Sequence, residues 1–211
     1  MARFRVFLSA VLAGVCIAIG GTAYLSLDDK VVGALFFTVG LFTICIFGLH
    51  LFTGKVCYVF QNDRAYALDL GLIWLGNLAG TFGAAWLESQ TRIGPALAEK
   101  AKAVCQVKLA DERLSIFILA IFCNIMIYIA VEGFNRAPHD LGRYVALFLG
   151  VAVFILCGFE HCVANMYYFS LAGVWSGKTL GYLLVMTAGN AVGVVLFPVA
   201  RRALTKKEGA A

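Results

Sequence analysis

The chain has 211 residues, 62% of them apolar and only 14% charged, with a formal net charge of +5. That balance lies outside the range of water-soluble domains and leaves no room for a soluble module beside a membrane domain. The excess positive charge sits in short loops between apolar runs, so nothing in it calls for nucleic acid.

Six apolar stretches follow one another at about 6–26, 31–60, 67–87, 114–131, 144–170 and 180–200. Most are near the roughly 20 residues that a helix needs to cross the hydrocarbon. Arg3 and Arg5 ahead of the first stretch raise a cleaved signal peptide as an alternative. Its apolar run is longer than a typical signal core, and Ala10, Gly14 and Ala18 recur at helical spacing, which suits a retained helix packed closely on a neighbour.

The second stretch is too long for a simple crossing and contains "GLHLFTGKV" at 48–56. Backbone that leaves the helix at membrane depth is tolerated only where protein buries it or an aqueous cavity meets it, so this stretch reads as a broken helix. Gly54 would relax the backbone there, and the Thr53 hydroxyl could bond a freed backbone group or a facing side chain. His50 has two readings, lining a pathway or capping a helix end. The third stretch carries "LGNLAG" at 75–80, in which Gly76 and Gly80 suit a packing seam and Asn77 suits helix-to-helix hydrogen bonding.

Segment 88–113 is mixed in charge. After Pro95 its apolar residues, Leu97, Ala101, Val104 and Val107, fall at steps of three and four, as in an amphipathic surface helix. The fourth stretch holds a buried amide, Asn124.

The fifth stretch contains "GFEHCVANM" at 158–166, which reads as a second broken helix. His161 and Asn165 are four apart and share one face if the helix is continuous. An ionisable residue inside a span is a functional candidate by default, against the alternative of a histidine hydrogen-bonded for packing alone. Glu160 suits acceptance of hydrogen bonds from backbone freed at the break; a catalytic acid is the rival reading. The sixth stretch repeats the Gly-Asn-x-x-Gly motif as "AGNAVG" at 188–193, with Asn190 in the place of Asn77.

Each half therefore runs span, broken span, Gly-Asn span. Three spans per half give the halves opposite orientations, an inverted repeat whose site lies between the broken helices. One transmembrane domain is expected over 1–211, with a first repeat at about 1–87, the connecting segment 88–113 and a second repeat at about 114–200. Lys and Arg in the short loops favour both termini in the cytoplasm, on one side with Lys55, Arg64, Arg136, Arg143, Arg201, Arg202, Lys206 and Lys207. Seven cysteines without a C-x-x-C pair give no disulfide framework.

The motifs "LFTG" at 51–54, "GNLAG" at 76–80, "CN" at 123–124, "GFEHCVANM" and "GN" at 189–190 resemble the formate/nitrite transporter family, in order and over essentially the whole chain. The resemblance implies an all-α protein of six transmembrane helices in an aquaporin-like inverted repeat, assembled as a homopentamer in the inner (plasma) membrane with one pore per protomer. It implies passage of small monovalent anions of weak acids, in the formate, nitrite or hydrosulfide class, together with protons. By position His161 matches the family's central histidine and Thr53 the threonine facing it. Lys108 matches a vestibule lysine, Asn124 and Asn190 match polar vestibule residues, and Leu41, Leu51, Phe52 and Phe154 fall at the constrictions. Glu160, Gly54 and Asn165 are left as supports of the broken helices. His50 and Cys162 depart from the family pattern, which places substrate preference and pH response in question.

A bare anion in a narrow apolar pore meets a desolvation penalty of at least several kcal/mol, on the order of that for burying any lone ion; its neutral acid meets far less. The expected mechanism draws anions in with Lys108, strips water at the Leu and Phe side chains, and brings cargo to a resting neutral His161 bonded to Thr53 that passes or shares a proton only when substrate is present; bulk water is the alternative proton source. No cofactor or metal is expected. The rival class is an intramembrane enzyme or metal site using Glu160, His161 and Cys162. Adjacent helical residues point apart, which shapes that cluster poorly for one ion. A neutral-solute channel is the third reading, but no Asn-Pro-Ala occurs.

Overall fold

The computed structural model describes residues 2–208, with side chains from 3 to 200. The side chains of Arg201, Arg202, Lys206 and Lys207, counted above in the loop charge, lie outside the described residues. Nine α-helices make up the described chain: α1 (Ala2–Ser26), α2 (Lys30–Phe47), α3 (Phe52–Lys55), α4 (Arg64–Ser89), α5 (Gly94–Ala110), α6 (Arg113–Arg136), α7 (Asp140–Leu156), α8 (Cys162–Ala172) and α9 (Gly177–Glu208). A 3-10 turn, Val56–Gln61, follows α3. Among the described residues, α1, α2, α4, α6 and α9 contain stretches long and apolar enough to cross a membrane. The fifth apolar stretch is divided between α7, of 17 residues, and α8, of 11.

Polarity is inverted relative to a soluble protein. Large apolar side chains such as Phe36, Phe47, Leu75 and Trp86 point outward, while Thr53, Asn77, Asn124, Glu160, His161, Asn165 and Asn190 are buried. An outer surface of this kind suits lipid or a neighbouring subunit, and the buried polar groups must then find partners within the chain.

Both predicted breaks are present. Helix α2 stops at Phe47, where Gly48 takes a left-handed φ of 63°, and the chain resumes helical form at Phe52. Helix α7 stops at Leu156, Gly158 takes φ 69°, and α8 starts at Cys162. A positive φ is strained for residues with a Cβ, so the reversals fall on these two glycines. Gly54, expected to relax the first break, lies inside α3 without a left-handed φ. Neither a turn nor a close approach requires glycine there, since a Cβ would make only an ordinary contact with Val131 at 3.7 Å.

The packing recurs in the same order along the chain. Helix α1 packs on α4 and α2 as α6 packs on α9 and α7, while α2 meets α7 across the middle and α5 lies on α8. Glycines set the two closest seams. A Cβ on Gly80 would fall 2.0 Å from the Val11 carbonyl oxygen, and one on Gly193 would fall 2.2 Å from that of Ile121. Gly76 and Gly189 stand against Ala10 and Ala120 in the same way. Backbones meet this closely only without side chains between them, as small-residue membrane seams require.

Gly80→Ala should separate α1 from α4 and lower the thermal midpoint of the purified protein, at a cost of about 1–3 kcal/mol typical of overpacking. Gly83→Ala, three residues on in the same helix where an added methyl meets nothing within 4 Å, should leave it unchanged or raised. Equal midpoints for the two variants would contradict the seam.

Candidate functional site

A helix that starts inside a bilayer presents N–H groups that no water can satisfy. Two asparagines meet this need in matching fashion. Asn77 Oδ1 accepts the Phe52 N–H at 2.8 Å, and its amide donates to the carbonyls of His50 at 3.0 Å and Ala10 at 2.8 Å. Asn190 Oδ1 accepts the Cys162 N–H at 2.8 Å, and its amide donates to the carbonyls of Glu160 and Ala120, both at 2.8 Å. Each side chain clamps one break against the adjoining helix. Asn190, expected in the pathway, is thus fully committed to backbone, and Asn77 does more than glue helices.

The two breaks meet at one hydrogen bond. Thr53 Oγ1 and His161 Nε2 lie 2.9 Å apart in a buried contact. His161 is also the N-cap of α8, its Nδ1 accepting the Ala164 N–H at 3.1 Å. A nitrogen that accepts carries no proton, so this bonding assigns the proton to Nε2, which donates to Thr53 Oγ1. The ring is then neutral, and the Thr53 hydroxyl keeps its own proton to offer elsewhere. Phe154 stacks on the imidazole with centroids 5.5 Å apart and planes at 22°. Asn124 holds the other side of Thr53, donating to its carbonyl at 3.2 Å and to that of Asn190 at 2.7 Å.

Charge enters next to this bond. Glu160, 3% exposed, accepts from Lys108 Nζ at 2.6 Å and from the Asn165 amide at 2.9 Å. Asn165 also donates to the His161 carbonyl at 2.9 Å. The carboxylate is therefore tied to α5 and to the first turn of α8. The Lys108 ammonium, read in the sequence as a free attractor, is mated to it. Removing one partner of a buried ion pair strands the other, a cost of about 3–5 kcal/mol.

Two recesses approach this centre from opposite ends of α2. The first, of about 300 Å³, is bordered by Tyr24 and Lys30 at its mouth and by Lys108, Phe154, Glu160 and His161 deeper in. The second, of about 100 Å³, is lined by Leu41, Cys45, Leu51, Gly54, Lys55 and Tyr58 among others. No residue lines both recesses. Leu41 and Leu51 face the second and Phe154 with His161 the first; Phe52, Thr53, Asn124 and Asn190 line neither. His50 is tied to Ser9, its Nδ1 sharing a hydrogen bond with Ser9 Oγ at 2.7 Å.

Sequence reasoning missed the rim of the second recess, where the Tyr58 hydroxyl donates to Glu132 Oε1 at 2.7 Å and Arg136 bonds the same carboxylate. The four-residue spacing of Glu132 and Arg136 was the available signal. It also missed Tyr168 in the first recess. Among the described residues, no three His, Cys, Asp or Glu side chains converge as a metal ion would need. The bonds of Glu160 and His161 are already spent on Lys108, Asn165, Thr53 and the start of α8.

Known proteins resemble this chain in sequence and fold. The family profile described as Formate/nitrite transporter matches residues 1–202. The uncharacterized transporter YrhG of Bacillus subtilis is 30% identical over 185 residues, covering 80% of this chain and 69% of that protein. The formate channel FocB of Escherichia coli is 29% identical over 78% of this chain, which spans 65% of the relative's length. The nitrite transporter NirC of Escherichia coli is 25% identical over 90% of this chain and 80% of its own. A solved structure described as a pentameric formate channel with formate bound superposes with a TM-score of 0.81 at 26% identity, covering 97% of this chain and 98% of the other. The match over residues 1–202, joined to the two clamped breaks and the histidine between them, places this chain in the formate/nitrite transporter family, as a multi-pass membrane protein.

Proposed function

We propose that this protein is a homopentameric channel for the small monovalent anions of weak acids, of the formate and nitrite kind, carried with a proton through a separate pore in each protomer. Residues of about 1–87 and 114–200 act as two inverted halves of one unit that crosses the inner membrane six times with both termini in the cytoplasm. The observation that carries the reading is the buried Thr53–His161 hydrogen bond joining two broken helices at the floor of a recess.

The chemistry follows from what surrounds that bond. Phe154 on one side and Leu41 with Leu51 on the other offer a travelling anion no replacement for its water shell. A charge crossing such a septum loses hydration worth at least several kcal/mol, on the order of other buried ions, whereas a neutral acid loses far less. The net rate then depends on protonation before the septum. His161 is a poor source of that proton in its capped state. A neutral ring would have to give up its sole N–H, and a doubly protonated ring would lose its bond to the Ala164 N–H. The proton therefore comes from water in the recess, and His161 with Thr53 serves as a hydrogen-bonding station for the neutral acid.

The Lys108–Glu160 pair fixes the recess floor and leaves Lys108 a partly compensated positive end for arriving anions. A nearby but neutralised pair steers less than a lone cation would.

His161→Phe should cut formate uptake into liposomes at least tenfold while the residual uptake still rises as the outer solution is acidified; a flattened profile would make His161 the proton source. Unchanged uptake with an unchanged pH profile would remove His161 from the mechanism. Lys108→Ala alone should lower thermal stability sharply by stranding Glu160, and adding Glu160→Gln should recover most of that loss. If the single and double variants melt together, the pair does not hold the recess floor.

A further inference from the structure

The first recess has a wall that the mechanism above leaves unused. His161, Ala164, Asn165 and Tyr168 all border it, the three-and-four spacing of a single face of α8. Nearly every polar side chain around this face is matched. Lys108 meets Glu160, the Asn165 amide meets Glu160 and the His161 carbonyl, and His161 meets Thr53. Two atoms stand out. Asn165 Oδ1 and the Tyr168 hydroxyl are buried without a protein partner, in residues 1% and 4% exposed. Only two other buried side-chain atoms among the described residues share that condition, Thr38 Oγ1 and Asn124 Oδ1, and neither of those residues borders the recess.

A polar atom shut away from water without a partner destabilises the fold, so one that persists beside a cavity suits a visiting group. Two such atoms, carried by residues three apart on one face of α8, one able to donate and one solely an acceptor, suit a guest that offers both roles. Asn165 Oδ1 can only accept, which disfavours a bare anion beside it. A carboxylic acid in its neutral form fits: its O–H donates to Asn165 Oδ1 and its C=O accepts from the Tyr168 hydroxyl. Both protein groups are held in place, Asn165 by its amide bonds and the Tyr168 ring by Tyr167, with centroids 5.7 Å apart.

From this geometry we infer that Tyr168 and Asn165 form a waiting site for the protonated carboxylic acid, about one to two turns along α8 from His161. The inference rests on the transport reading and adds the form in which the cargo stands before the septum. Tyr168 is a specificity-determining residue here. It favours acids with a carbonyl and a hydroxyl over a single-atom acid such as hydrogen sulfide, which cannot span the pair.

Tyr168→Phe removes only the hydroxyl, and Asn165 is left alone because its amide holds Glu160. In liposomes, the formate concentration for half-maximal uptake should rise about three- to tenfold, the worth of one hydrogen bond. That for hydrosulfide should stay within about twofold by the same reasoning. The thermal midpoint should not fall, since the lost group had no partner. An unchanged formate value, or equal changes for both substrates, would overturn the site. Wild-type protein that carries neither substrate would instead sink the transport reading, and this site with it.

Discussion

Everything in this molecule depends on keeping two chain breaks open where no water can help. Main-chain N–H and C=O groups outside a helix are costly in hydrocarbon, and the usual remedy is a closed ladder of backbone bonds. Here the remedy is one carboxamide per break. Asn77 and Asn190 each accept one N–H from the restarting helix and donate to two carbonyls, one in the break and one in the neighbouring helix. The glycine seams bring those neighbours close enough for the reach. Without the seams the amides would hang short, and without the amides the breaks would close into plain helix or admit lipid.

Given two held breaks, a functional centre follows at little further expense. Helix α8 needs a cap, and a histidine nitrogen supplies it, leaving the opposite nitrogen to cross the gap to Thr53. The helix cap and the proposed transport role thus draw on the same ring. The cap fixes which nitrogen carries the proton, and this disposes the site to hydrogen-bond a neutral acid more than to ionise one. The buried carboxylate nearby, Glu160, is countered by Lys108 from α5, the helix between α4 and α6. That explains why the connecting segment is more than a solvated loop.

The sequence made the breaks legible because polar residues in overlong apolar stretches have no cheap alternative explanation. "GLHLFTGKV" and "GFEHCVANM" marked both to within a few residues. What each polar residue does was harder to read. The repeated Gly-Asn motif was visible, but whether Asn77 and Asn190 bond helices, breaks or cargo depends on which backbone lies opposite, and no local pattern encodes that. Gly54 looked like the hinge because it sits within the motif, yet the reversal needs a left-handed residue at the helix end, and Gly48 and Gly158 stand there. Lys108 and Glu160 were each noticed alone. Their separation in sequence hid the pairing, and with it the change from free attractor to bonded partner. Tyr168 gave no signal, since an aromatic residue in an apolar run looks like core.

The central claim is that the two amides hold the breaks, and amide hydrogen exchange tests it most directly. In Asn190→Ala protein, exchange at the Cys162 N–H should accelerate at least tenfold while that at Phe52 stays protected, and Asn77→Ala should reverse the pattern. Wild-type protection at both positions in both variants would contradict the account.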